Sequence, residues 1–188
     1  TNQLLTGVIS GTGSLTQSGA STLTLAGANT YSGSTNISAG VLQIGNGTTG
    51  SVSTSTLINV SSGGTLVLNE ANGSTFGNNV ADTGTVIFNQ SGVLSATGVI
   101  SGSGVVIQSG SGTTVLAAAN TYSGSTNISA GTLKAGNTSA LGSNSTTTVN
   151  GTLDLGGFNI SLGSLAGTGL VTDSATTANT LTVGNLGA

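Results

Sequence analysis

The chain has 188 residues, of which one is Lys or Arg and four are Asp or Glu, with no His, Cys, Pro, Met or Trp. That inventory excludes a Ser-His-Asp triad, a thiol nucleophile, a zinc-thiolate site, a disulfide frame and a basic surface for nucleic acid. Disordered chains combine low hydrophobicity with high net charge; here the net charge is −3 and 35% of residues are hydrophobic, so the chain is expected to fold.

The opening stretch, TNQLLTGVIS, has no basic segment and no long apolar run. A secretion signal is therefore expected to have been removed or to lie outside this sequence. No run of about 18 apolar residues follows, so no membrane-spanning helix is expected, and no direct membrane insertion. Short apolar runs bounded by Gly, Asn and Ser succeed one another instead: VLQI (41–44), TLVL (65–68), TVIF (85–88), VVIQ (105–108), TLKA (132–135) and TLDL (152–155). Gly, Ser, Thr, Asn and Val are middling or poor helix formers, so the expected class is all-β with essentially no helix.

Each of these six runs follows a Gly, at 40, 64, 84, 104, 131 and 151, and Gly13 and Gly169 stand in the same phase before SLTQ and LVT. A strand at fixed phase with a period near 20 residues is the mark of a parallel β-helix, or β-solenoid, of about eight to nine coils. Two residues after each Gly stand Leu15, Leu42, Leu66, Val86, Val106, Leu133, Leu153 and Val171. All are apolar and are expected to point inward, and the next residue of each strand outward. At about 4.8 Å per coil the rod would be about 40 Å long. Gly and Asn suit the corners, and the absence of Pro suits strands whose N–H groups are all engaged.

Residues 7–46 align without a gap with 98–137 and are identical at 28 of 40 positions. This offset of 91 residues is read as four coils within one solenoid spanning 1–188, and each of the two copies contains one 27-residue coil. The most similar part is GANTYSGSTNISAG (27–40) against AANTYSGSTNISAG (118–131).

The windows LTLAGANTYSGSTNISAGVLQIGN (23–46) and TVLAAANTYSGSTNISAGTLKAGN (114–137) resemble the autotransporter-associated β-strand repeat, also called the passenger-associated transport repeat. The resemblance implies a right-handed parallel β-helix in the secreted passenger of a Gram-negative autotransporter. It further implies an extracellular or cell-surface location, an adhesin-type role and a part in passenger secretion and folding. Family members end in an outer-membrane β-barrel, whereas this sequence ends TLTVGNLGA. It is expected to be a passenger fragment, a processed piece, or a relative that works without its own barrel.

Candidate sites are few, and the chain is expected to be non-enzymatic and without a cofactor. GNGTTG (45–50) spells a dinucleotide fingerprint, but strand rather than helix follows it, and a solenoid corner is the better reading. Lys134 is the only base available to a serine nucleophile. It shares an outward slot with Asp154 on the next coil, which predicts an exposed ion pair worth about 0–1 kcal/mol. Glu70, Asp82, Asp154 and Asp173 fall on different coils in this reading and form no carboxylate pair or calcium loop. Tyr31 and Tyr122 are either glycan-stacking aromatics or rings that cover an enlarged corner in each 27-residue coil. Val67, Ile87 and Ile107 form an outward apolar stripe, either a partner surface or a strip covered by a loop such as SVSTST (51–56).

The expected partners are other copies of the chain, through solenoid ends or faces, or glycans and proteins of a host or neighbouring cell. A rigid surface stalk or adhesin is the leading expectation. A filament of uncapped solenoids stacked end to end is the second, since uncapped strand edges invite pairing. An ice-binding solenoid is a remote third: its T-x-T pattern is clear only at Thr22–Thr24 and Thr180–Thr182.

Overall fold

A computed structural model describes residues 1–54, 56–142 and 145–184. Every strand pairing in it is parallel. The described residues contain no helix, and the chain winds as a β-solenoid of nine coils. Face A runs through all nine coils: Gln3–Leu5, Thr22–Leu25, Gly40–Ile44, Gly64–Leu68, Thr85–Phe88, Val105–Gln108, Thr126–Ile128, Thr146–Val149 and Ser164–Ala166. Face B holds Ser74–Phe76, Val93–Ala96, Thr113–Leu116, Thr132–Ala135, Thr152–Asp154 and Leu170–Thr172. Face C holds Leu15–Gln17, Thr35–Ile37, Ile58–Val60, Val80–Asp82 and Ile100–Gly102. The pair Ile160–Leu162 and Leu181–Val183 takes the same place in the order of the last coils.

These residues form strands because apolar and polar residues alternate with period two, and the buried set can be covered only from within the coil. Leu66 and Leu68 are fully buried, while Thr65 and Val67 between and beside them are half-buried. Inward residues then stack coil on coil. Leu25, Ile44, Leu68, Phe88, Gln108, Ile128 and Val149 stand in one register column. One continuous apolar core runs from Leu25 to Leu162.

The register corrects the expected coil length. Leu42, Leu66, Val86 and Val106 share a ladder on face A. Leu133, Leu153 and Val171 share a different ladder, on face B, and Leu15 lies on face C. Each 27-residue step is therefore one ordinary coil plus one face. The 91-residue offset is likewise four coils plus one face: Leu15 lies on face C, and its duplicate Val106 on face A. Residues 27–40 of the first copy form no enlarged corner.

The two copies nevertheless make the same contacts on different faces. Gln17 Nε2 donates to Gly19 O at 2.9 Å and Ser21 O at 2.8 Å. Its duplicate Gln108 donates to Gly110 O at 2.8 Å and Gly112 O at 3.4 Å. Asn29 Oδ1 accepts from Ile9 N, and Asn120 Oδ1 from Ile100 N. Gly40 and Gly131 both turn with positive φ, at 65° and 59°. A Cβ on Gly40 would lie 2.1 Å from Gly19 O, so the turn needs glycine for space as well as for angle.

Candidate functional site

The outward side of face A is the largest regular surface of the rod. One column runs Leu4, Thr24, Gln43, Val67, Ile87, Ile107, Asn127, Thr148 and Ala166. A second runs Thr22, Val41, Thr65, Thr85 and Val105. No residue in either column is charged. Val67, Ile87 and Ile107 stand directly in register, and each is half-buried by its neighbours in the column. Segment 51–56 turns elsewhere: Thr54 would meet a Cβ on Gly77, and Asn78 Nδ2 donates to Ser53 O and Thr56 O at 2.7 and 2.8 Å. Ser55 lies outside the described residues. Thr22 and Thr24 lie on face A and Thr182 lies in the last strand of the third face, so no T-x-T ladder joins them.

Tyr31 and Tyr122 point inward. They are 1% and 0% exposed, which removes them as ligand-stacking rings. Tyr31 lies among residues that alternate in and out like any strand: Asn29 and Tyr31 are buried, and Thr30 and Ser32 are exposed. The hydroxyls of Tyr31 and Tyr122 bond to the hydroxyls of Thr35 and Thr126 at 2.5 and 2.7 Å. A ring that fills the core and has its one polar atom satisfied is a packing element.

GNGTTG forms a corner. Gly45, Gly47 and Gly50 have φ of 84°, 89° and 104°, and Asn46 Oδ1 accepts from the N–H of Thr48 and of Thr49 at 3.0 and 2.9 Å. The corner leads on towards Ile58–Val60, and no helix N-terminus is available to a pyrophosphate.

Lys134 and Asp154 are register partners on face B, with Nζ and Oδ2 3.4 Å apart. Lys134 also donates to Ser174 Oγ at 2.7 Å. This puts a serine beside the only lysine, but a general base must accept the hydroxyl proton, and this ammonium donates both ways. Asp154 is the better anchored partner. Burial works to raise its carboxyl, but bonds from the Ser174 N–H and hydroxyl, the Gly156 N–H and the Lys134 charge hold it below the usual value. The Gly156 and Ser174 N–H groups each donate to Oδ1 at 2.9 Å. Lys134→Ala is expected to lower stability by about 0–1 kcal/mol, as for a solvent-screened pair. Asp154→Ala leaves those N–H groups without their acceptor and is expected to lower it by about 1–3 kcal/mol. Urea unfolding of the two variants checks the order.

The pair is not the exposed one expected, because Asp154 is 6% exposed, and two further acids are buried. Glu70 and Asp82 are 5% and 0% exposed and lie in the same coil, not on different ones. Burial lifts Glu70 to about 7 and Asp82 to about 6, the latter in spite of a bond from the Gly84 N–H. Strand parity was the available signal: Leu66, Leu68, Glu70 and Val80, Asp82 stand in inward phase. Among the described residues no group of three His, Cys, Asp or Glu could hold a metal ion. Among the described residues no helix is long and apolar enough to cross a membrane.

The duplicated windows are also the windows that match a known family. The passenger-associated transport repeat matches at residues 15–44 and at 106–135. Together the two matched windows cover about a third of the chain. Adhesin BmaC autotransporter of Brucella suis biovar 1 (strain 1330) is 50% identical over 60 residues, 31% of this chain and 2% of that protein. The chain thus spans a small fraction of the length of that curated relative. No solved structure matches. Each matched window crosses five successive faces with their corners, four of them as regular strands. The first starts on face C and the second on face A, so the same sequence pattern is accommodated from two different starting faces.

Proposed function

We propose that the chain is a non-enzymatic segment of an autotransporter-type passenger, displayed outside a Gram-negative cell, where it acts as a rigid stalk or adhesive surface. One observation carries the reading: two transport repeats are built into an unbroken nine-coil rod whose longest face is uncharged. The similarity to a protein named as an adhesin supports it. Low charge leaves little long-range steering, so affinity would come from repeated short-range contacts along the rod. The register column through Val67, Ile87 and Ile107 is the surface proposed to make them.

Surface display of the parent passenger, with and without these coils, tests the reading. Loss of attachment to host or neighbouring cells with display intact supports the adhesive role. Loss of display itself supports a role in secretion and folding. Unchanged display and attachment would overturn both. Ile87→Lys, on an outward position, is expected to weaken attachment while leaving the fold intact.

A second reading, end-to-end assembly into a filament, is favoured by the placement of exposed apolar side chains. Among the described residues, Leu4, Leu5 and Val8 gather on the first coil and Leu170 and Val183 on the last, with Leu57 and Val93 on coils between. Another coil, from the same chain or from a second copy, would cover the groups at the ends. Electron microscopy over a range of concentrations separates fibres from single rods of about 40 Å.

A further inference from the structure

Glu70 is the only glutamate of the chain. Leu68 pairs with Phe88, and Asn89 N donates to Leu68 O at 2.8 Å, so the register places Glu70 beside Gln90 of the next coil. Both side chains continue the inward phase of their strands, and Gln90 is fully buried.

From Gln90 a line of hydrogen bonds runs on through the core. Its Nε2 donates to Thr114 Oγ1 at 2.6 Å, the Thr114 hydroxyl donates to Gln108 Oε1 at 2.6 Å, and Gln108 Nε2 donates to Gly110 O at 2.8 Å. Every donor points the same way. At the head of the line Gln90 Oε1 has no donor. A buried amide oxygen left open in this way is costly, so a partner is to be looked for among its neighbours. Among the described residues no donor and no cation reaches the Glu70 carboxyl either. On the preceding coil it meets backbone: a Cβ on Gly45 would lie 2.9 Å from Glu70 Cα. Across the core stand Ile58–Val60 and Val80–Asp82, whose one charged group, Asp82, is also an acid. Lys134, Asp154 and Asp173 are about three or more coils further along the rod.

We infer that Glu70 is kept as the neutral acid and donates its O–H to Gln90 Oε1, completing a one-way line of hydrogen bonds from the fourth coil to the sixth. A line of aligned donors is mutually reinforcing in a low-dielectric core. Removal of the proton sets a carboxylate oxygen against an amide oxygen, with no donor between them. The latch is closed in acid and opens as the pH rises past neutrality. It is a proton-sensitive joint between coils of a rod that otherwise carries almost no charge.

Because Glu70 is the only glutamate, labelling glutamate with 13C at the carboxyl gives one signal in the intact chain. That signal is expected to titrate near 7, the direction in which burial also drives it. The bond favours the neutral form, so Gln90→Leu is expected to lower the midpoint by about one pH unit, a tenfold weaker hold on the proton. Glu70→Gln supplies an amide N–H to the same oxygen at every pH. Its urea midpoint is expected to change less between pH 5 and pH 8 than that of the unaltered chain. A carboxyl that titrates near its ordinary value of 4.5 overturns the inference. So does a midpoint indifferent to Gln90→Leu, which would leave burial as the whole cause.

Discussion

Gly124→Ala should be among the most damaging single methyl additions this chain can receive. A Cβ at Gly124 would stand 1.8 Å from Gly104 O and 2.6 Å from its carbon. Both are backbone atoms of the preceding coil and cannot rotate away as a side chain would. The coils must part there, which strains the bonds from Ser123 N to Gly102 O and from Val106 N to Ser125 O, now 2.8 and 3.0 Å. A loss of about 3 kcal/mol or more is expected, at the upper end of overpacking effects. In a solenoid each coil is held by its neighbours, so the damage should also split unfolding into two steps, one for each side of the breach. Gly33 is the duplicate of Gly124 and is confined by the same backbone group one coil back, with Gly13 O at 2.4 Å from its would-be Cβ. Gly13 itself has nothing within 4 Å, and Gly13→Ala should change stability by no more than about 0.5 kcal/mol. Urea unfolding of the three variants measures the contrast.

Stability should fall, not rise, between about pH 4 and pH 7. Glu70 and Asp82 have folded-state values near 7 and 6 against ordinary values of 4.5 and 3.8. Below the ordinary values both acids are neutral in the folded and unfolded chain, and neither state is favoured. As the pH rises, the unfolded chain releases its protons first, which stabilises it relative to the fold. The loss levels off once the folded-state values are passed. One pH unit corresponds to about 1.4 kcal/mol, so each acid withdraws about 3 kcal/mol by pH 8. Asp154 works the other way: its lowered value contributes stability above the ordinary carboxylate range that is lost as acid protonates it. The optimum should therefore lie near pH 4. Asp82→Asn keeps an acceptor for the Gly84 N–H, now 2.8 Å from Oδ1. It should raise stability markedly at pH 8 and hardly at pH 4. Urea midpoints at the two values decide it.

Much of the fold could be read from residue order because a solenoid is nearly one-dimensional. The 20-residue period and the in–out parity at Leu66, Val67 and Leu68 depend only on neighbours along the chain and one coil away. The register of Lys134 on Asp154 followed from the same arithmetic. Which face a strand joins did not, because parity is the same on every face. A step of one coil plus one face, as from Leu15 to Leu42, looked like a single long coil. That long coil is what makes a spare corner one of the two readings of Tyr31 and Tyr122, although their own segments face them inward. Glu70 and Asp82 carry a charge that favours solvent, yet their phase in the chain places them in the core.

The one-face displacement between the two repeats bears on how such a rod can change over time. Crossing-over between the two identical stretches would delete 91 residues, or add them, without interrupting the ladder. Everything downstream would then be turned by a third of a revolution. The surface formerly presented by face A would look in a new direction, while Gln17-type and Asn29-type bonds re-formed on whichever side they landed. Length and aim are therefore inherited together: each recombination that resizes the rod also re-points it.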